Sequence, residues 1–344
     1  MHAAVTDASH ALAEDPALPT GRLALDRTVA AAALADALDL DRASTRLVSI
    51  HVLAYKPGRR CLIEYRLTVG QAQPAADRIV LGKIRTKRFG NSGYRLLRAL
   101  WEAGFNDQSA DGILVPEPLG TVPALRMWLQ RKVAAPTATA LMDGPDSADL
   151  ARRIVAAVQK LHTTPVAADR RHTMQDELRI LERCLLGTAA THPHAASAIG
   201  QLLDAAGRVG SMLPSPPWCP SHRDFYGDQV LVAPDRLFLI DFDLFCEADP
   251  GLDIGNLLGH VTEHALRTRG DADALAAFER AVEDQFVARA GEAVRWPTRV
   301  YAALTVARHV YLCTRSAERA PFMPALVVQA RQRLDLLAAA GGHA

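Results

Sequence analysis

The sequence has few cysteines, and they follow no pattern. Five cysteines are spread over 344 residues, and no two of them form a CxxC pair. A disulfide framework normally uses an even number of cysteines, and a zinc site uses closely spaced pairs. We therefore expect free thiols in a reducing compartment. This predicts a cytoplasmic protein that folds without disulfides or a structural metal ion.

Long hydrophobic runs are also absent. The longest uncharged stretch, residues 185–203, is interrupted by a His-Pro-His segment, whereas a membrane-spanning helix needs about 20 predominantly apolar residues. Residues 1–20 lack the basic and apolar segments of a signal peptide, and their Ala-rich composition predicts a poorly ordered arm. The sequence therefore predicts no contact with a membrane.

Neither sign of charge dominates. The chain has 39 Lys and Arg against 38 Asp and Glu, a net charge of +1. Proteins that bind nucleic acid usually carry a basic excess, so we expect no nucleic-acid partner. The length suggests two domains of roughly 150 residues, and 49% hydrophobic residues suffice for a sizeable core. The sequence does not indicate an oligomeric state.

Strand-like sequence is concentrated in the first 130 residues. Asp26 predicts the N-cap of a helix that runs through Leu38. A Lys-Pro-Gly turn between two apolar runs predicts a hairpin, and residues 90–103 have the pattern of an amphipathic helix. The predicted strands are residues 47–55, 60–68, 78–84, 113–118 and 124–129.

The rest of the chain is predicted to be mainly helical, apart from one segment. Apolar residues recur at helical spacing in residues 147–162, and further helices are expected at 176–186, 196–206 and within 274–340. Residues 214–259 interrupt this pattern with a proline-rich approach and two short strand-like runs, 229–232 and 237–240. The sequence therefore predicts an α+β fold.

The interrupting segment contains the polar residues that are typical of phosphoryl transfer. Such a reaction needs a carboxylate to take a proton from the acceptor hydroxyl, and a cation to neutralise the phosphates. Asp224 lies in a loop after His222 and Arg223, and Asp241 directly follows four apolar residues. Asp241 and the side-chain carbonyl of Gln229 offer the hard oxygen ligands that Mg²⁺ prefers.

These residues resemble the aminoglycoside phosphotransferase and choline kinase superfamily. The pattern HxDxxxxQ from His222 to Gln229 is followed by an IDFD strand end, and ADPxxD at residues 248–253 resembles the superfamily's GDPxxD. The resemblance implies a protein-kinase-like fold. It also implies Asp224 as the catalytic base, His222 as a residue of the catalytic site that organises the loop together with Asp253, and Asp241 and Gln229 as Mg²⁺ ligands.

The resemblance extends to the strand-rich part of the chain. It implies that Lys83 binds the ATP phosphates, that Leu81 covers the adenine and that Gln130 lies at the adenine edge. Gly58 and Arg59 stand where the superfamily has its phosphate-binding loop. The implied architecture is a small antiparallel N-lobe with one inserted helix and a larger helical C-lobe. The lobes would be residues 21–129 and 130–344, with the catalytic loop at 221–259.

Three features depart from the superfamily. Gln229 replaces the more common Asn, as in maltokinase-like members; the glycine-rich loop is replaced by residues 55–60; and Glu102 is the only acidic residue in the helix expected to supply a partner for Lys83. An alternative function is therefore a nucleotide-binding pseudokinase that acts as a scaffold or sensor. A metal hydrolase with His222, Asp224 and Asp241 as ligands is a weaker alternative.

The sequence leaves the phosphate acceptor open. The expected activity is ATP- and Mg²⁺-dependent phosphorylation of a small-molecule hydroxyl group. The acceptor could be an aminoglycoside, a sugar, an amino alcohol or a natural product. An aminoglycoside favours an acidic pocket, yet the acidic residues of 247–284 are interleaved with arginines, as on a solvated helix face. Arg223, Asp243 and Asp249 are interpreted mainly as structural, with Asp243 a possible further metal contact.

Overall fold

The computed structural model describes residues 2–70, 76–86 and 92–341. The chain divides into two compact units, Met1–Ala134 and Ala135–Ala344. The division falls a few residues after the boundary that the sequence predicts. Each unit has its own hydrophobic core.

A five-stranded antiparallel sheet forms the centre of the first unit. Its core face carries alternating residues such as Cys61, Ile63 and Tyr65, all nearly inaccessible to solvent. The strands of the unit are β1 (Thr45–Lys56), β2 (Arg60–Val69), β3 (Ala76–Arg85), β4 (Ile113–Leu114), β5 (Pro118–Val122) and β6 (Met127–Arg131). The sheet has the order β1-β2-β3-β6-β5. The predicted hairpin is confirmed. The strand predicted at 113–118 is replaced by two, β4 and β5, and the strand predicted at 124–129 begins later, at Met127, because Pro123–Leu125 forms a turn.

Four helices complete this unit: α1 (His2–Ala13), α2 (Gly21–Leu25), α3 (Arg27–Ala37) and α4 (Ser92–Glu102). The carboxylate of Asp26 accepts hydrogen bonds from the backbone N–H groups of Thr28 and Val29, both at 2.9 Å, so the predicted cap of α3 is confirmed. The helix predicted at 90–103 is also confirmed, although its first two residues lie outside the described residues.

The prediction of a poorly ordered arm differs from the structure. Leu12 and Leu18 are 0% and 2% exposed and belong to the core beneath the sheet. An Ala-rich composition suits a helix as well as a disordered segment. Leu12, in the helix, and Leu18, in the turn that follows it, both bury apolar area in the core of the unit, which holds this segment in place.

The second unit is mainly helical. Its helices are α5 (Ser147–His162), α6 (Met174–Thr191), α7 (Ala196–Ser211), α8 (Gly251–Arg269), α9 (Ala276–Ala290), α10 (Arg295–Cys313) and α11 (Met323–Gly341). The predicted bounds of α5 are confirmed. Helix α6 begins earlier than predicted because Thr173 and Asp176 form a capping box, in which each side chain hydrogen-bonds the other's backbone N–H.

Two short antiparallel pairs of strands lie between these helices. Strand β8 (Val230–Val232) pairs with β9 (Leu237–Leu239), as predicted. Strand β7 (Cys219–Ser221) pairs with β10 (Cys246–Ala248), and neither of these was predicted. Three residues are too short for a recognisable alternation, and β7 also contains Pro220.

Small residues bring α8 and α10 close together. A Cβ atom at Gly255 would lie 2.5 Å from the Cβ of Tyr301, and one at Gly259 would lie 2.5 Å from the Cβ of Thr305. The two helices therefore require glycine at these positions. This contact fixes α8, whose first half lies within the predicted catalytic segment 221–259. Of the helices in the described residues, none combines the length and the apolar character that crossing a bilayer requires.

Candidate active site

The backbone of the predicted catalytic loop is held by one buried carboxylate. Asp253, in the first turn of α8, is 0% exposed. Its two oxygens accept hydrogen bonds from the backbone N–H groups of His222 at 2.9 Å and Arg223 at 2.7 Å. Arg223 adopts a φ of 71°, a left-handed conformation that is uncommon for a residue other than glycine. Asp253 thus stabilises a strained backbone just before Asp224.

The same carboxylate is paired with a histidine at the end of α5. Nε2 of His162 lies 3.0 Å from Oδ2 of Asp253. Burial is the largest single influence and lowers the pKa of His162, but the hydrogen bonds and electrostatic interactions with Asp253 and Cys219 together outweigh it and raise this pKa to about 9. Burial alone would raise the pKa of Asp253, but the contact with His162 lowers it. Both groups are therefore charged near neutral pH and form a buried ion pair.

His222 links the two strand ends of the site. Its Nε2 donates a hydrogen bond to the backbone oxygen of Ile240 at 2.8 Å. Its ring packs against Phe225 and Phe242, with ring centroids 5.7 Å and 4.9 Å away. His222 is 0% exposed. These contacts agree with the loop-organising part of its prediction, and the Nδ1 of the ring is buried without a hydrogen-bond partner.

Asn256 gives the loop a second attachment, which the sequence did not predict. Its side-chain N–H donates to the backbone oxygen of Arg223 at 2.9 Å. Its Oδ1 accepts from Thr305 at 3.0 Å and from Arg308 at 2.6 Å, and Arg308 also pairs with Glu177 at 3.0 Å. The spacing of three residues from Asp253 within α8 was the only signal in the sequence.

The two predicted metal ligands lie at the end of one small hairpin, and the predicted base precedes this hairpin in the loop. Asp224 is partly exposed and precedes Phe225, which is fully buried. The backbone oxygen of Gln229 accepts a hydrogen bond from the N–H of Ile240 at 3.0 Å, so Gln229 lies opposite the residue that precedes Asp241. Asp241 has a φ of 61°, which turns the chain sharply at the end of β9.

This donor set fits Mg²⁺. Magnesium prefers oxygen ligands and usually takes only one or two carboxylates from the protein, with water and substrate phosphates completing its octahedron. Asp241 offers a carboxylate, and Gln229, in the turn just before β8, offers an amide carbonyl. In the described part of the chain, no three His, Cys, Asp or Glu side chains cluster closely enough to hold a metal ion. For the hydrolase alternative, the Nε2 of His222 already donates to the backbone oxygen of Ile240, which leaves only Nδ1 of this histidine as a metal ligand.

The first unit brings three of the predicted nucleotide-binding residues to one face of its sheet. Lys83 and Leu81 alternate with the buried residues Val80, Gly82 and Ile84 on β3. Gln130 on β6 pairs directly with Leu81. The ammonium group of Lys83 lies 5.7 Å from the ring centroid of Trp128, its neighbour on β6.

The β1–β2 turn differs from the predicted phosphate-binding element. Gly58 has a φ of 65°, and its backbone N–H donates to the carboxylate of Asp15 at 2.7 Å. That carboxylate also accepts from the Tyr55 hydroxyl at 2.8 Å. The N–H of Gly58 is therefore occupied, and an acidic group lies beside it. The backbone oxygen of Arg59 accepts from the N–H of Thr86 at 3.0 Å.

Of two further acidic residues, Glu64 lies on the sheet face that carries Lys83, whereas Glu102 lies on the surface of α4. Glu64 on β2 pairs with Leu81 in the sheet, is 7% exposed and forms an ion pair with Lys132. The sequence did not predict a role for Glu64, although it is the one acidic residue of β2. Glu102, which was considered as a partner for Lys83, instead pairs with Arg98 at 2.7 Å on the surface of α4.

Comparisons with known proteins agree with this arrangement. The model of the phosphotransferase enzyme family matches residues 88–296. No protein with a curated description matches the chain. Many solved structures share its fold, among them a choline kinase, a choline/ethanolamine kinase family protein and an aminoglycoside phosphotransferase.

The choline kinase of Cryptosporidium parvum Iowa II has a TM-score of 0.58 at 10% identity, covering 92% of this chain and 97% of that one. A choline/ethanolamine kinase family protein from Mesorhizobium loti has a TM-score of 0.51 at 17% identity, covering 84% and 88%. An aminoglycoside phosphotransferase solved with gentamicin has a TM-score of 0.54 at 15% identity, covering 90% and 96%. The predicted α+β, kinase-like fold is confirmed. Because the family model covers more than half of the chain, the prediction of a small-molecule kinase is also confirmed, and the chain belongs to the phosphotransferase enzyme family.

Proposed function

We propose that the protein transfers the γ-phosphate of ATP to a hydroxyl group of a small molecule, with Asp224 as the base. The main support is the fixed geometry of the catalytic loop. Asp253 accepts hydrogen bonds from the two backbone N–H groups that precede Asp224. The backbone hydrogen bond between Gln229 and Ile240 brings Gln229, with its amide oxygen, next to the residue that precedes Asp241, with its carboxylate. Rigid positioning is what phosphoryl transfer requires most from a protein.

In the proposed reaction, Asp224 orients the acceptor hydroxyl and accepts its proton. The acceptor oxygen forms a bond to the γ-phosphorus while the bond from that phosphorus to the β–γ bridging oxygen breaks, and ADP leaves with those electrons. Mg²⁺, when held by Asp241 and Gln229, would neutralise charge on the phosphates. Asp224 then releases the proton to water.

The nucleotide would be bound by the Lys83 face of the sheet. Lys83 carries the positive charge that suits the α- and β-phosphates, and Leu81 offers an apolar side chain to the adenine. Gln130 pairs with Leu81 and offers polar groups at the adenine edge. A Lys83→Ala variant should therefore raise the KM for ATP much more than the KM for the acceptor.

For the acceptor, we favour a sugar, an amino alcohol or another hydroxylated natural product over a polycationic aminoglycoside. Structural relatives were solved with gentamicin and with spectinomycin. In this chain, however, the acidic side chains on α8 and α9 are already paired: Glu263 with Arg267 and Arg319, Glu279 with Arg333, and Glu283 with Arg295 and Arg299. Paired acids attract a polycation weakly.

A panel of hydroxyl compounds incubated with ATP, Mg²⁺ and the purified protein tests the proposal. Products are detected by the mass increase of one phosphoryl group. The Asp224→Asn variant should abolish the product, whereas Asp228→Asn, an exposed aspartate of the same loop, should retain it. Undiminished transfer by Asp224→Asn would overturn the assignment of the base.

One observation favours the pseudokinase as the second candidate. Asp15 occupies the N–H of Gly58 and places negative charge where the resemblance implies a phosphate-binding turn. Thermal unfolding with ATP separates the two functions. A catalytic site should be stabilised much more by ATP with Mg²⁺ than by ATP with a chelator, whereas equal stabilisation supports the pseudokinase.

A further inference from the structure

The peptide group that joins Arg223 to Asp224 is held by the side chain of Asn256. Nδ2 of Asn256, in α8, donates a hydrogen bond to the backbone oxygen of Arg223 at 2.9 Å. Because a peptide group is planar, the direction of this oxygen also fixes the position of the Asp224 Cα atom. On the other side of the Arg223 Cα atom, Asp253 holds the N–H. The two contacts together restrict both backbone torsions of Arg223, and with them the direction in which Asp224 leaves the loop.

The amide of Asn256 satisfies its partners in only one of its two orientations. Its Oδ1 accepts hydrogen bonds from Nη2 of Arg308 at 2.6 Å and from the Thr305 hydroxyl at 3.0 Å. A guanidinium group has donors and no acceptor. A rotated amide would therefore turn its N–H groups against those of Arg308 and its oxygen against the oxygen of Arg223. Asn256 is buried, so each lost hydrogen bond would be costly.

Arg308 is held in turn by a buried carboxylate. Its Nη1 donates to Oε1 of Glu177, in α6, at 3.0 Å. The other oxygen, Oε2, lies 2.8 Å from Nε2 of His172. Burial is the largest influence and raises the pKa of Glu177, but His172 and Arg308 together outweigh it and lower this pKa. Glu177 is therefore ionised near neutral pH, and the guanidinium of Arg308 bridges this carboxylate and the Asn256 amide.

We propose that Arg308 is a positioning residue for Asp224 and acts through the amide of Asn256. Its guanidinium fixes the orientation of that amide, and the amide N–H fixes the peptide group from which Asp224 extends. This inference rests on the proposed role of Asp224 as the base. It extends the support of the catalytic loop from α8 to α10 and α6, which carry Arg308 and Glu177.

Hydrogen exchange in the loop tests the positioning without measuring turnover. In Arg308→Ala the Asn256 amide loses the group that orients it. The backbone N–H groups of residues 222–224 should therefore exchange about tenfold faster, the effect of roughly one hydrogen bond. Mass spectrometry of the peptide that contains these residues measures the rates. Exchange at the rate of the unmodified chain would refute the inference.

Arg333→Ala is the matched control. Arg333 pairs with Glu279 at 3.2 Å, and in both pairs a partly exposed arginine meets a mostly buried glutamate. Losing either pair should lower the stability, but only the loss of Arg308 should loosen the loop. Equal acceleration of loop exchange in the two variants would show a general loss of stability and overturn the inference.

Steady-state kinetics test the role of Arg308 in the reaction. The acceptor is the panel compound that the unmodified chain phosphorylates fastest. Arg308→Ala should lower kcat about tenfold or more, because a displaced base acts less effectively, and should change the KM for ATP by less than about twofold. Arg333→Ala should keep both values. An unchanged kcat in Arg308→Ala would contradict the inference.

Asn256→Asp removes the donor to the loop and keeps the partner of Arg308. One oxygen still accepts from Arg308, and the negative charge strengthens that contact. The other oxygen faces the backbone oxygen of Arg223 and repels it. We expect a loss in kcat at least as large as in Arg308→Ala, although the ion pairs around Arg308 are retained. If Asn256→Asp turns over normally, the inference fails even where Arg308→Ala does not fold.

A double variant shows whether Arg308 acts through Asn256. If it does, Arg308→Ala combined with Asn256→Ala should have a kcat within about twofold of that of Asn256→Ala alone. Losses that multiply would show that the two side chains act independently, which is incompatible with the inference.

The Asp224→Asn variant separates this inference from the proposed function. If Asp224→Asn retains full transfer, the assignment of the base fails, and hydrogen exchange still decides whether Arg308 holds the loop. If Asp224→Asn is inactive while Arg308→Ala and Asn256→Asp turn over normally, only the inference about Arg308 fails.

Discussion

The catalytic loop of the second unit and the β1–β2 turn of the first unit are built with the same device. Each contains a residue with positive φ, Arg223 at 71° and Gly58 at 65°. In each, a carboxylate distant in sequence accepts hydrogen bonds from the backbone, Asp253 in the loop and Asp15 in the turn. The two regions differ in burial, because Asp253 is fully buried and Asp15 is partly exposed.

This difference changes what each carboxylate contributes. Asp253 is buried and accepts hydrogen bonds from three donors. Removing its charge or one of its donors leaves buried polar groups without partners, which lowers the free energy of unfolding strongly. An exposed carboxylate exchanges its donors for water at little cost. The same hydrogen-bonding pattern therefore makes the catalytic loop rigid, while the turn is only weakly stabilised. Variants of Asp253 and of Asp15 therefore test whether burial makes the two carboxylates differ in effect.

The largest expected effect concerns the residue that the buried carboxylate positions. Asp224→Asn should lower kcat by roughly 10²–10⁴, the usual contribution of a general base. Its thermal unfolding should remain close to that of the unmodified chain, because Asp224 is partly exposed. Steady-state kinetics with the identified acceptor measures this. A loss of folding together with activity would contradict a purely chemical role.

The second prediction concerns Asp253 itself. Asp253→Asn removes the charge that His162 needs and replaces an acceptor oxygen with an amino group facing N–H donors. We expect a loss of about 3–5 kcal/mol in the free energy of unfolding. Asp204→Asn, an exposed aspartate on α7, should change it by less than about 0.5 kcal/mol. Denaturant unfolding of both variants checks the prediction, and similar small losses would show that burial does not distinguish the carboxylates.

The third prediction is a pH dependence. His162 has a folded-state pKa of about 9 against an ordinary value of 6.5. Its pairing therefore stabilises the fold fully below pH 6.5, and this contribution is lost as the pH rises towards 9, amounting to about 3 kcal/mol. The lowered pKa of Asp253 has the opposite sign, so its contribution is present above its ordinary value of 3.8 and is lost on acidification below that value.

A His162→Gln variant isolates this contribution. It should be less stable than the unmodified chain at pH 6, and its stability should change much less between pH 6.5 and 9. Denaturant unfolding across this range measures both curves. Parallel curves would show that the His162–Asp253 pair is not the group that titrates.

Sequence reasoning succeeded where the determining contacts are local. The cap at Asp26, the helix α5 and the hairpin β1–β2 all depend on residues within a few positions of one another. The motif from His222 to Gln229 likewise lies in one short segment, and its fixed spacing was enough to indicate the family.

The missed features depend on contacts between distant positions. Asp15 and Gly58 are 43 residues apart, and nothing in either neighbourhood indicates that they meet. The same holds for Glu177, Asn256 and Arg308, which only the packing of α6 and α8 against α10 brings into one network. The N-terminal arm was misjudged for a related reason, since the burial of Leu12 depends on a sheet that begins more than 30 residues later.

The smallest expected effect concerns Asp15, the partly exposed carboxylate at the β1–β2 turn. Asp15→Asn keeps one acceptor oxygen but removes the negative charge beside the turn, so it should cost at most about 1 kcal/mol of stability. If the turn approaches phosphate, the KM for ATP should fall or stay constant, because a repelling charge has been removed. Unfolding and ATP-dependent kinetics measure the two effects. A marked rise in the KM for ATP would show that Asp15 orders this turn for nucleotide binding, and that the two carboxylates act alike despite their different burial.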